Sequence, residues 1–156
     1  MRLIVFSDSH GDIANCRLVL ERIPCDKILH LGDVTADALA LQKLYPNINV
    51  EYVGGNNDYC RVREKVIEAG GVRIFMAHGH NHGVSYGTDR IYYAALEQNC
   101  SIALFGHTHR PHQERSEGIL LLNPGSISRP RGGAPSCLII EIENGKADFM
   151  LYELPY

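Results

Sequence analysis

The opening stretch Arg2-Leu3-Ile4-Val5-Phe6-Ser7-Asp8-Ser9-His10 decides the reading of this chain, because an apolar run passes without a break into polar chemistry. The run reads as a strand. Behind it Ile13, Cys16, Val19, Leu20 and Ile23 recur at helical spacing, with Asp12 as N-cap and an end forced before Pro24. Lys27 to Leu31 reads as the next strand, Asp37 to Tyr45 as a second helix stopped by Pro46, and Ile48 to Val53 as a third strand. Strands alternating with helices imply parallel pairing through crossovers.

The remainder reads as hairpins. Val62 to Ala69 and Val72 to Met76 are joined by Gly70-Gly71, whose missing side chains permit the positive φ of a two-residue turn. A third helix is expected from Thr88 to Gln98, then a strand from Ser101 to Phe105. Gln113 to Glu117 pairs with Ile119 to Leu122, and Cys137 to Ile142 with Lys146 to Leu154 through Asn144-Gly145. With no repeat, linker or low-complexity segment, residues 1–156 read as one α/β domain. Its two mixed sheets should pack face to face with helices outside.

Composition removes several function classes. The 156 residues carry 45% hydrophobic and 21% charged side chains, and no apolar run approaches the roughly 18 residues of a membrane span. Leu3 to Phe6 is too short for a signal-peptide core, so a cytoplasmic location is expected. A formal net charge of −3 offers no global field for a nucleic-acid backbone, so strong nucleic-acid binding is not expected. The 5 cysteines are scattered and never spaced Cys-x-x-Cys, which fits free thiols rather than disulfides or a thiolate zinc site. No Gly-x-x-x-x-Gly-Lys or Gly-x-Gly-x-x-Gly loop is present. Of 8 histidines, most fall in two tight groups, His78, His80 and His82, then His107, His109 and His112.

Five apolar strands run straight into polar clusters: Asp8-Ser9-His10, Gly32-Asp33, Gly54-Gly55-Asn56-Asn57-Asp58, His78-Gly79-His80 and Gly106-His107-Thr108-His109. Carboxyl ends of parallel strands line one crevice, so the clusters should converge on one site. Asp, His and Asn without cysteine form the ligand set of Mn, Fe, Zn, Ni or Co. Asp8, His10, Asp33, Asn56, His78, His107 and His109 are too many for one tetrahedral ion and suit two ions sharing a carboxylate. Such a centre is strongly positive and attracts a small phosphoester substrate.

In order, Asp8-x-His10, Gly32-Asp33, Gly55-Asn56-x-Asp58, His78-Gly79 and Gly106-His107-Thr108-His109 resemble the motifs of the calcineurin-like metallophosphoesterases. Chain length and Asn123-Pro124-Gly125-Ser126 resemble the small, single-domain YfcE-like phosphodiesterase branch. The resemblance implies a four-layer α/β/β/α sandwich with two divalent ions, often manganese. It assigns Asp8, His10, Asp33 and His109 to one ion and Asp33, Asn56, His78 and His107 to the other, with Asp33 bridging. A hydroxide between ions about 3.5–4 Å apart would attack phosphorus in line. Where many members carry a histidine as general acid, this chain has Asn57, which leaves His80 or metal-bound water for that role and favours activated diesters.

Other residues receive plainer readings. Asp58 is expected to accept a hydrogen bond from a ligating imidazole such as His10. His30 reads as a satisfied core histidine, and His82 and His112 as surface loop residues. Arg110, Arg129 and Arg131 read as exposed loop charges, with contact to a substrate phosphate the alternative for each. Rival functions are a non-catalytic scaffold like the retromer subunit of eukaryotes, a phosphomonoesterase, or a nuclease. Exposed strands or Tyr-rich segments can support a homo-oligomer.

Overall fold

The structure, a computed structural model, describes residues 1–155. The first sheet contains β1 (Arg2–Phe6), β2 (Lys27–His30) and β3 (Asn49–Tyr52) in parallel, linked by α1 (Ala14–Arg22) and α2 (Thr35–Leu44). β9 (Ser136–Glu143) and β10 (Lys146–Glu153) complete it in the order β10-β9-β1-β2-β3. The second sheet runs β4-β5-β6-β8-β7, from β4 (Glu64–Ala69), β5 (Val72–Ala77), β6 (Ile102–Leu104), β7 (Pro111–Ser116) and β8 (Ile119–Pro124). Its β5, β6 and β8 are parallel, while β4 and β7 close antiparallel hairpins at its edges. α3 (Asp89–Glu97) connects β5 to β6.

Side-chain alternation along each strand builds the layers. Leu3, Val5, Leu29 and Leu31 point inward and meet Ile74, Met76, Ile102, Leu104, Leu120 and Leu122 between the sheets. Ile4, Phe6 and Ile28 point outward onto Cys16 and Val19 of α1 and Ala38 and Leu41 of α2. On the opposite side Phe75, Ala103 and Phe105 receive Ile91 and Ala95 of α3. The order is therefore helix, sheet, sheet, helix. Central strands covered on both faces explain why β1 and β2 read as continuous apolar runs.

Most expected elements form within two or three residues of their expected ends. α1 stops before Pro24, with the Asp12 carboxylate accepting the Ala14 N–H at 3.0 Å. Gly70 and Gly71 turn the β4–β5 hairpin at φ +56 and +82. One feature departs from the expected loop: His80–His82 forms a single 3₁₀ turn, bounded by Gly79 at φ 111 and Gly83 at φ 60. No helix among the described residues is long and apolar enough to cross a membrane.

Candidate metal centre

The carboxyl ends of β1, β2, β3, β5 and β6 open on one edge of the sandwich, and short backbone bonds tie their loops together. Asp8 N–H donates to the Gly32 carbonyl and Gly106 N–H to the His78 carbonyl, each at 2.8 Å. These links bring residues from both sheets onto one buried carboxylate, Asp8. Its Oδ2 accepts from Ser7 Oγ at 2.7 Å and from the His107 N–H at 3.0 Å. Its Oδ1 is buried and has no hydrogen-bond partner among the described residues.

Three imidazole nitrogens surround that bare oxygen: His109 Nε2 at 3.3 Å, His78 Nε2 at 3.7 Å and His10 Nε2 at 3.9 Å. Hydrogen bonds on the far side of two rings aim these nitrogens. His78 Nδ1–H donates to the Leu31 carbonyl at 2.8 Å and His109 Nδ1–H to the Arg129 carbonyl at 2.7 Å, leaving each Nε2 directed at Asp8. His10 Nε2 and His109 Nε2 stand 3.0 Å apart. Asp33 presents Oδ2 to His10 Nε2 at 3.6 Å and Oδ1 to His78 Nε2 at 3.9 Å, one oxygen toward each side.

Two donor groups result, Asp8–His10–His109 and Asp8–Asp33–His78, each with ligand atoms within 4.8 Å of one another. Buried carboxylate oxygens facing imidazole nitrogens need positive charge between them. A proton can take that place. The Asp8 carboxylate, 3.3 Å from Nε2, raises the His109 pKa against the opposing effect of burial. Burial pushes Asp8 up, yet the adjacent His109, the field of His78 and the Ser7 hydrogen bond hold it below the usual carboxylate value. Burial lowers His10, partly offset by the Asp33 and Asp8 charges. His107 is lowered by burial and then by His78.

Glycine is required where the loops cross most closely. A Cβ on Gly106 would collide with Ser7 Oγ and stand 2.8 Å from Asp8 Oδ2, and one on Gly55 would lie 2.8 Å from Asp33 Oδ1. Beside these crossings lies a cleft of about 340 Å³, lined by His10, Asp33, Asn56, His107, His109 and, across from them, Arg129 and Arg131.

Residues 1–145 match the calcineurin-like phosphoesterase superfamily domain. The chain belongs to that superfamily. A probable metallophosphoesterase of Bacillus subtilis, YsnB, is 31% identical over 98% of this chain and 91% of its own length. The phosphodiesterase MJ0936 of Methanocaldococcus jannaschii is 24% identical over 92% of this chain and 94% of its own. Among solved structures, a predicted phosphoesterase from Streptococcus pneumoniae TIGR4 superposes with a TM-score of 0.78 at 33% identity, covering 96% of this chain and 88% of that one. A single mutant of Vps29 from Entamoeba histolytica shares the fold alone, with a TM-score of 0.77 at 20% identity over 99% of this chain and 100% of that one. The four-layer sandwich is thus the family's architecture; the family implies divalent metal, and the Asp/His cluster is a candidate site for it.

Of the seven expected ligands, Asp8, His10, Asp33, His78 and His109 form the two donor groups. Asn56 lines the cleft as an exposed residue, and the His107 ring lies 5.2 Å from that of His78, so both flank the cluster. The two groups share Asp8, whereas the resemblance put the shared carboxylate at Asp33. His80 packs 5.5 Å from the His78 ring, lowered in basicity by burial first and by the His78 field next.

Asp58 sits differently from expectation: its Oδ1 accepts from Thr35 N and Oγ1 at 2.7 and 2.8 Å, and its Oδ2 from the Gly55 N–H at 2.7 Å. Both oxygens pin loops, leaving no bond to His10. His82 is buried rather than a surface residue, with Nε2 2.8 Å from Glu64 Oε1 and its ring edge-on to Phe75. The 3₁₀ turn folds it under the loop. His112 is half-buried on β7 and bonds Glu114 at 2.8 Å.

Three further residues had not been singled out as supports. Asn57 holds Asp33 through its backbone N–H at 3.0 Å and its side-chain amide at 2.6 Å. Ser126 Oγ donates to the Asp8 carbonyl at 2.8 Å and Ser128 Oγ to the Ser9 carbonyl at 2.6 Å, stitching the Asn123–Ser126 turn under the first loop. Which hydroxyls of that segment reach the first loop carries no local sequence signal.

Proposed function

We propose that this chain is a two-metal phosphodiesterase. The observation that carries the reading is the buried, unpartnered Asp8 Oδ1 and His78 Nε2, facing one another in a ring of imidazoles with Asp33 spanning both sides. This donor set fits divalent metal. Asp8, His10, Asp33 and His109 would hold one ion and Asp33, Asn56, His78 and His107 the other, with Mn²⁺ the preferred ion and Fe, Zn, Ni or Co suited to the same ligands. When bound, the pair supplies Lewis acidity and a water acidic enough to serve as nucleophile near neutral pH.

The chain's own residues do the positioning. Leu31 and Arg129 carbonyls fix the ligating nitrogen of His78 and His109, while Asn57 aims both oxygens of Asp33. Asp58 shapes the Gly55–Asn57 loop through Gly55 and Thr35. The Asn57 amide does not titrate, and His80, the remaining candidate acid, does not line the cleft, its ring standing 6.2 Å from that of His107. Diesters with good leaving groups are therefore the favoured substrates. The name of the archaeal phosphodiesterase relative supports diester hydrolysis. A small phosphoester encountered in the cytoplasm fits the open cleft. The scaffold alternative needs no complete donor set, and all seven motif ligands are present here.

The deciding experiment combines elemental analysis with hydrolysis of bis(p-nitrophenyl) phosphate. Up to two divalent ions per chain are expected, with activity lost to chelation and restored by Mn²⁺. Asp33→Asn should cost far more activity than His30→Gln. Hydrolysis indifferent to chelation would falsify the metal mechanism.

A further inference from the structure

Arg129 and Arg131 were expected to be exposed loop charges, and neither is buried, yet both line the same cleft as His10, Asp33 and His109. Their loop is built into the metal centre. The Arg129 N–H donates to Ser126 Oγ at 2.7 Å, its carbonyl accepts His109 Nδ1 at 2.7 Å, and the Arg131 N–H donates to the His109 carbonyl at 3.0 Å. Ser128, beside Arg129 in that loop, bonds the Ser9 carbonyl at 2.6 Å. The backbone that fixes a ligand imidazole therefore also fixes where the two guanidiniums emerge.

Neither guanidinium has an ion pair or hydrogen bond among the described residues, a state shared by most arginines of the chain, so it is their place in the cleft that sets these two apart. The carboxylate that shares the cleft, Asp33, already accepts the Asn57 backbone N–H and side-chain amide. Charge balance identifies what the two guanidiniums would meet. Two divalent ions are neutralised by Asp8, Asp33, one ionised water and the single charge of a phosphodiester. Two guanidiniums beside that site are then in excess, and positive charge held beside positive charge is unfavourable unless an anion answers it.

We propose that Arg129 and Arg131 form an anion subsite that selects phosphoesters carrying a second anionic group beyond the scissile phosphoryl. This rests on the phosphodiesterase reading and extends it to substrate class. Guanidinium forks match phosphate and carboxylate oxygens in paired, charge-assisted hydrogen bonds, and one such contact supports about tenfold in affinity.

The test compares two chromogenic diesters differing only in a remote phosphate: the p-nitrophenyl ester of thymidine 5′-phosphate and the same compound phosphorylated on its 3′ oxygen. For the Mn²⁺-loaded protein, kcat/KM should favour the phosphorylated diester about tenfold or more, mainly through KM. In Arg129→Gln/Arg131→Gln that ratio should fall to about one, while Arg115→Gln, with a single remote charge removed, keeps it. Lysine at both positions should recover part of it. Calorimetric titration with thymidine 3′,5′-bisphosphate against thymidine 5′-phosphate provides a readout independent of turnover and should show the same preference and the same loss. Equal kcat/KM for the two diesters in the wild-type protein overturns the subsite. So does a double variant slowed equally on both, which would place the guanidiniums on the scissile group. If neither diester is hydrolysed but the bisphosphate preference is present and arginine-dependent, the subsite stands and the diesterase reading fails.

Discussion

Acid should weaken this protein over a defined window set by His30. The ring is fully buried at the end of β2, and each nitrogen is already used by the neutral form. Nδ1 accepts the Gly32 N–H at 3.1 Å, and Nε2–H donates to Ser9 Oγ at 2.9 Å. The Ser9 hydroxyl donates to Asp37 Oδ2 at 2.6 Å, which also accepts the Gly11 N–H at 2.8 Å. A second proton on His30 would stand against the Gly32 N–H with no acceptor. Burial drives the pKa down to about 4, only partly opposed by the charges of Asp37, Asp8 and Asp58. In the unfolded chain the value returns to about 6.5. The folded-state value is depressed, so the contribution is complete above about pH 6.5 and is lost as pH falls toward about 4, because the unfolded state binds the proton first. At about 1.4 kcal/mol per pH unit the loss totals about 3 kcal/mol, a large share of the ~5–15 kcal/mol that holds a domain together. Urea unfolding of chelator-treated protein from about pH 7.5 to about pH 4 measures it, with His30→Gln as comparison. The wild-type curve should be steeper than the variant's by about one proton across the window. Parallel curves would refute the account of a ring kept neutral by burial.

Two further outcomes test the loop crossings. Gly106→Ala puts a methyl into Ser7 Oγ and against Asp8 Oδ2; about 1–3 kcal/mol of stability and most Mn²⁺ binding should be lost, and calorimetric Mn²⁺ affinity equal to wild type contradicts the close approach. Asp58→Ala strips the acceptor from the Thr35 and Gly55 N–H groups, so stability should drop by about 2–3 kcal/mol in urea and Mn²⁺ affinity should weaken through the neighbouring Asn56; stability within error of wild type removes Asp58 from loop support.

The architecture was legible because its signals are local and agree with one another. β1 and β2 are covered on both faces and so read as unbroken apolar runs, and Gly70-Gly71 and Asn144-Gly145 carry the positive φ their turns require. The five polar clusters were legible for the same reason, since each starts where a strand stops. What stayed hidden depends on partners far along the chain. α2 begins at Thr35, two residues before the expected Asp37, because Asp58 holds the Thr35 N–H and hydroxyl across 23 residues. His82 reads as exposed in a polar stretch, but the Gly79 and Gly83 turn brings it onto Phe75 and Glu64. Ser126 and Ser128 reach Asp8 and Ser9 from 118 and 119 residues away, a pairing no periodicity encodes.

The distribution of donors between sheets gives the site its character. Asp8, His10, Asp33 and Asn56 follow strands of the first sheet, while His78, His107 and His109 follow strands of the second. The centre therefore spans the interface whose interior is Leu3, Val5, Met76 and Leu104, and neither sheet alone supplies a complete ligand set. Packing between the sheets fixes how far Asp8 stands from His78, and that distance decides whether a cation is held or the two groups are merely buried. The polar edge is costly without an ion, since Asp8 Oδ1 and His78 Nε2 are two of the four buried side-chain polar atoms without a partner among the described residues, the others being Nδ1 of His80 and of His82. Such a cost persists only when the surrounding apolar core outweighs it, which explains a site at the rim of the packing between the two sheets. The arginine loop sits at the same rim: ties to His109, Ser126 and Ser9 fix its backbone, while both guanidiniums stay exposed to solvent.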